Sequence, residues 1–285
     1  MLKKIFTNFI FIQIFIFNFF FIESLKAIIP FYNAPNENIL KKESFAIAKN
    51  AYQLLYFGQV KESLNLAKLA ISLNKNDPKL WSLLAETQIA NNLYENALNS
   101  IKEGKNINPK MSELYFSESS ILIRQNKIKD AQNSLQRGLK LNPDNINGLF
   151  QLANLYLMEK NFKKSLNTFD KAIEIKPAFW QAYNNKGLIL FELNNIPRAI
   201  DNFKQAIEIE NNAEPLLALA VCIQNENFPE SIALAKKALS KDPNYVDSEF
   251  RKEQLWGQKI QAQTSRLFTS KELKQDIAIA KLLKK

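Results

Sequence analysis

Three features of the sequence predict an all-α fold, a right-handed solenoid of about six helical hairpins closed by C-terminal capping helices. A small residue recurs at a fixed interval: Ala70, Gly104, Gly138, Ala172 and Ala206 lie 34 residues apart, and Ala238 comes after 32. Five positions beyond each stand Lys75, Pro109, Pro143, Pro177, Asn211 and Pro243. Proline suits a helix end there, because it lacks an amide donor and keeps the residue before it out of helix. Between these marks Leu, Ala, Lys, Glu and Asn fall at helical spacing, and only 6 Gly occur in the whole chain.

The interval sets a frame of six repeats, 44–77, 78–111, 112–145, 146–179, 180–211 and 212–245. Other positions test the frame independently. The eighth is small in Ala51, Ala85, Ser119, Ala153 and Gly187, and the twentieth in Ser63, Ala97, Ala131, Ser165, Ala199 and Ser231. Small side chains at these places let the two helices of a hairpin approach closely. The seventeenth must fill space, and it holds Val60, Tyr94, Ile128, Phe162, Ile196 and Phe228. The last interval is two residues short, and the sequence places that deletion no better than within 207–237.

A solenoid exposes an apolar face at its end. Residues 246–285 are expected to cover it, first by an amphipathic helix over 246–268 carrying Val246, Phe250, Trp256, Ile260 and Leu267. A final helix ending near Leu283 would come next, with Thr269 and Glu272 as its capping box.

This pattern resembles the tetratricopeptide repeat over residues 44–245, with Trp81 or Tyr183 at the fourth position, Gly187 at the eighth, Tyr156 at the eleventh, and Phe169 and Phe203 at the twenty-fourth. The seventh position departs from it, being polar in Asn50, Glu118 and Lys186. The Asn/Lys/Ile-rich cast and the phrase Lys252-Glu253-Gln254-Leu255-Trp256-Gly257 look like cyanobacterial members of the family, some of whose relatives assist photosystem biogenesis. The resemblance implies a protein or an extended peptide as partner, held in a concave groove by positions two, five, nine, twelve and thirteen of the first helices. Carried over by register, the groove set is Tyr52, Tyr56, Glu86, Ile89, Phe116, Ser120, Arg124, Asn147, Phe150, Asn154, Asn184, Leu188 and Phe191, with Ile123, Leu157, Met158, Gln181 and Glu192 beside them. Apolar anchors interleaved with Asn suit a peptide held through its backbone, although several Phe and Leu here could equally pack between repeats. The family's clamp for chaperone tails needs Lys at the fifth position and Asn at the ninth, and only Asn154 fits.

The N-terminus carries a separate signal. Lys3 and Lys4 precede an apolar run from Ile5 to Ile22 with eight Phe, longer than an ordinary signal-peptide core and near the lower limit for spanning a bilayer. Residues 1–27 are therefore expected to be a signal peptide or membrane anchor. Positive charge ahead of the run favours translocation of the rest of the chain, putting the repeats on the extracytoplasmic, periplasmic or lumenal side. Residues 28–43, with Pro30 and Pro35, read as a linker.

Composition narrows the function classes. With no His, the usual general base and metal ligand are missing, and the single Cys222 allows neither an intrachain disulfide nor a cysteine metal cluster. No catalytic residue, metal ligand or cofactor is expected, and the chain reads as non-enzymatic. The net charge of +10 collects at the C-terminus, where residues 236–285 hold twelve basic and six acidic side chains. The leading reading is a protein-binding scaffold, tethered to or exported across a membrane and assisting assembly or stability of a membrane protein complex. The alternative is an RNA-binding helical repeat, disfavoured because the groove set offers one Arg and no repeated stacking aromatics.

Overall fold

A computed structural model describes residues 36–284. The expected anchor at residues 1–27 lies outside the described residues, as does the first half of the expected linker. The first helix begins at Glu37, well inside the stretch expected to be a linker, with Asn36 accepting from the Asn38 amide as its cap.

Twelve helices form six antiparallel hairpins among the described residues: α1 Glu37–Tyr56 with α2 Val60–Leu73, α3 Pro78–Ala90 with α4 Tyr94–Ile107, α5 Ser112–Arg124 with α6 Ile128–Leu141, α7 Ile146–Met158 with α8 Phe162–Ile175, α9 Trp180–Glu192 with α10 Ile196–Ile209, and α11 Ala213–Ile223 with α12 Phe228–Lys241. Within each hairpin the eighth and twentieth positions meet, as their small size predicts: Ser63 Oγ donates to Ala51 O at 2.8 Å and Ser165 Oγ to Ala153 O at 2.7 Å. Aromatics at the fourth position tie a repeat to the loop before it. Trp81 Nε1 donates to Lys75 O at 2.8 Å, and the Tyr115 hydroxyl to Pro109 O at 2.9 Å.

The turn inside each hairpin is built on a left-handed residue at position fifteen, occupied by Gly58, Asn92, Asn126, Lys160 and Asn194 in repeats one to five. Its positive φ lets the next amide reach back to close the first helix, as in Leu93 N to Gln88 O at 2.8 Å and Asn161 N to Tyr156 O at 2.8 Å. Repeat six has no such residue. Its Ser231 Oγ meets Ala220 O eleven residues back rather than twelve. One missing residue therefore falls in this turn. The other falls in the connection before α11, which has three residues, 210–212, where the earlier connections have four.

Two of the polar seventh positions are explained by ion pairs between repeats. Glu118 takes Lys105 Nζ from the preceding α4 at 2.5 Å and also accepts from Ser134, while Lys186 pairs with Asp170 of α8.

The C-terminal region differs from the expected continuous helix over 246–268. A 3-10 turn, Pro243–Val246, leads to the short α13, Ser248–Glu253; the chain then breaks at Leu255-Trp256-Gly257 before α14, Gln258–Leu267, and α15, Lys274–Leu283. The break turns on Leu255, which holds φ at 65°. That conformation is costly for a leucine and persists here because it aims Trp256 into the core. The expected capping box does not form either: the Thr269 hydroxyl donates to Arg266 O at 2.7 Å, and a 3-10 turn, Lys271–Leu273, starts the last helix. No helix of the described residues is long and apolar enough to cross a membrane.

Candidate functional site

Successive first helices lie side by side, α1 against α3 and α3 against α5, so their shared face forms one inner surface of the stack. The expected groove residues distribute over this surface in three ways.

The fifth position points between repeats. Ala48, Ser82 and Asn184 are buried there. A Cβ on either Gly138 or Gly148 would meet the Phe116 ring at 2.6 Å, so this ring fills the space between repeats three and four. Phe150 stacks at 5.8 Å on Phe169 and 5.1 Å on Phe179. Phe116 and Phe150 are thus packing wedges, which corrects the expectation that they anchor a ligand; the neighbouring helix is closer to that position than solvent is. Ile89 is likewise half-buried against the core around Ala85, Ala97 and Ile101.

In repeats five and six the inner surface is covered by the chain's own C-terminal strap, the segment from α13 through α14. Leu188 and Phe191 become core residues at 1% and 6% exposure. Trp256 lies between them and the buried α11, its indole donating to Glu214 Oε1 at 3.0 Å. Glu192 receives the backbone amides of Ile260 at 3.1 Å and Lys259 at 3.3 Å, so it caps the start of α14, while Lys259 Nζ reaches Glu192 O at 2.6 Å. Asn184 bonds Asn185, and Asn185 donates in turn to Asn154 Oδ1 at 2.8 Å. Asn184, Leu188 and Phe191 are therefore not groove residues, and Asn154 is half-committed. Register assigns a face to each side chain, but it is silent about what covers that face.

The inner surface remains open in repeats one to three. Phe45, Tyr52, Ser82, Glu86 and Glu113 line a groove there of about 550 Å³. Phe45 and Tyr52 stay half-exposed, and Tyr56 is almost wholly exposed beside Phe57 at the hairpin turn. Burial and the negative Glu86 push the Tyr52 phenol up to about 12. Burial, reinforced by the like charge of Glu113 and opposed by the Ser82 hydrogen bond, raises the Glu86 carboxyl. Ser120 turns its hydroxyl back to Phe116 O at 3.1 Å, Asn147 is exposed, and exposed Arg124 lies 6.0 Å from the Tyr94 ring. Phe45 and Glu113 were missing from the expected set although both occupy position two, the signal that could have found them.

Elsewhere, Cys222 is buried in the apolar α11, where desolvation pushes its thiol up to about 12. Buried Arg251 donates to Tyr245 O at 2.6 Å, and Lys284 pairs with Asp247 at 2.5 Å, so part of the basic C-terminus serves the cap itself.

Hairpins of this length, stacked through positions eight, twenty and twenty-seven, define a tetratricopeptide-repeat solenoid. Two tetratricopeptide-repeat family models match the chain, at residues 122–185 and 180–212, so this stretch carries tetratricopeptide repeats and the hairpins on either side continue the same fold. Similar solved structures share this fold. Pseudomonas aeruginosa pilF has 13% identity and a TM-score of 0.66, covering 75% of this chain and 98% of that one. YrrB, described as a TPR protein with an unusual peptide-binding site, has 18% identity and a TM-score of 0.52, covering 66% and 97%. Yeast Tom70 has 20% identity and a TM-score of 0.56, covering 92% and 57%. The curated proteins contain no match to the sequence.

Proposed function

We propose that the protein is a non-enzymatic scaffold that captures an extended segment of a partner protein on the open inner surface of repeats one to three. The observation that carries this reading is the contrast between the two halves of one surface. Repeats five and six cover theirs with an internal segment, whereas Phe45 and Tyr52 are left half-exposed around a concave groove. Soluble folds cover such apolar concavities unless a partner does so. The peptide-binding description of YrrB, which shares the fold, is consistent with this use. The apolar run Ile5–Ile22 would hold the scaffold at a membrane or carry it across, on the extracytoplasmic side, where it would assist assembly or stability of a membrane protein complex.

Photo-crosslinking tests the groove. A crosslinker replacing Tyr52 should capture a partner that one replacing Lys68, exposed on α2, does not; equal capture at both sites would reject the groove. Alkaline carbonate washing tests the tether, since full-length protein should stay with membranes. Recovery as a soluble species with a new N-terminus near Ile28 would show a cleaved signal instead.

A further inference from the structure

We infer that the partner segment places a basic side chain, lysine or arginine, against Glu86 in the groove of repeats one to three, with an apolar residue a few positions away resting on Phe45 and Tyr52. The inference rests on the groove reading above and names the chemistry of its ligand.

Glu86 is the starting point. It is half-buried on α3, and among the described residues its one hydrogen bond comes from Ser82 Oγ at 3.4 Å. No cation among the described residues pairs with it, although Lys49 and Lys79 line the same groove. The other half-buried or buried carboxylates of the first helices are better satisfied. Glu118 has Lys105, Glu214 has the Trp256 indole, and Glu192 has two backbone amides of the strap. A partly desolvated carboxylate without a cation gains more from one than an exposed carboxylate does. The groove also has the walls a basic side chain needs: Phe45 and Tyr52 sit seven residues apart on one face of α1, roughly 10 Å along the helix, and aromatic faces attract ammonium and guanidinium groups.

The strap supplies an internal precedent. Where it fills the inner surface of repeats five and six, an apolar anchor, Trp256, is followed three residues later by Lys259, whose amide meets Glu192 and whose Nζ takes Glu192 O. The chain thus shows on its own surface how an inserted segment combines an aromatic anchor with a lysine at the C-terminal end of a first helix, the Glu192 carboxylate itself being met by backbone amides. The open groove differs in carrying the aromatics on its own wall, Phe45 and Tyr52, beside a glutamate, Glu86, that no backbone amide or cation among the described residues satisfies.

The test uses full-length protein in detergent and two labelled peptides of about ten residues, identical except that one carries arginine and the other its neutral isostere citrulline beside a phenylalanine. Fluorescence anisotropy should show the arginine peptide binding about tenfold more tightly, with Glu86→Gln abolishing the difference and Glu86→Asp retaining part of it. Unchanged helicity and melting in both variants exclude a folding defect. Equal binding of both peptides, lost together in Phe45→Ala or Tyr52→Ala, would overturn the cation inference and leave the groove intact. Binding indifferent to Phe45 and Tyr52 would overturn both, and no binding of the arginine peptide at millimolar concentration would overturn the inference.

Discussion

Trp256 donates its indole N–H to the buried carboxyl of Glu214, 42 residues earlier, over 3.0 Å, and this bond fixes the C-terminal strap to the last repeat. Asn184 and Tyr245 bond the same carboxyl, yet burial outweighs all three donors and raises it to about 7 from 4.5. Between these values the folded chain holds a proton that the unfolded chain releases. The stability this group contributes is therefore full below the unfolded value and is lost as pH rises through the folded one. At roughly 1.4 kcal/mol per unit, the loss is about 3 kcal/mol. Melting followed from about pH 5 to about pH 8 should show the fall, and Glu214→Gln should flatten it; an unchanged slope in that variant would reject Glu214 as its source.

Gly187 tests the packing of a hairpin. A Cβ there would lie 2.5 Å from Phe203 Cε1, and Phe203 is fully buried with nowhere to retreat. Gly187→Leu should cost about 1 to 3 kcal/mol or more in thermal or denaturant unfolding, whereas Lys68→Ala on an exposed helix face should cost almost nothing.

Gly257 tests the strap. A Cβ on it would meet Glu192 Cδ at 2.3 Å, the carboxylate that caps α14. Gly257→Ala should loosen the strap locally, so that limited proteolysis cuts between residues 247 and 258 while the repeats survive. Wild-type resistance would show that Glu192 yields without releasing α14.

Lys160 occupies the left-handed turn position of repeat four, at φ 57°, where repeats two, three and five have Asn. Asparagine tolerates this region better than lysine does. Lys160→Asn should raise stability by a few tenths to about 1 kcal/mol, measured by urea titration, with no change in the slope that reports exposed surface.

The repeat frame was legible because steric demands recur: a small residue, Ala, Ser or Gly, at positions eight and twenty in successive copies leaves few other arrangements. The strap was not. Residues 247–257, which span α13 and the Leu255 turn, carry no period, and the left-handed conformation of Leu255 contradicts that residue's own preference, so nothing local announces it. The groove was half legible for a related reason. Position nine assigns Tyr52 and Glu86 to the inner surface, where they line the open groove, but Leu188, at the same position, is covered by a segment far later in the chain. The missing residues of repeat six were visible as a short interval, and only the pairing of Ser231 with Ala220 located one of them.

The covered C-terminal end has a consequence for self-association. The two ends of a solenoid are complementary halves of a single heterologous contact, so identical copies can in principle stack head to tail into an open fibre. Here the trailing end is roofed by α15, which Lys236 and Asp276 tie to α12 at 3.5 Å. Another copy's leading hairpin would not find the apolar face it needs. The array carries its own terminator, and growth by end-to-end stacking is blocked on that side.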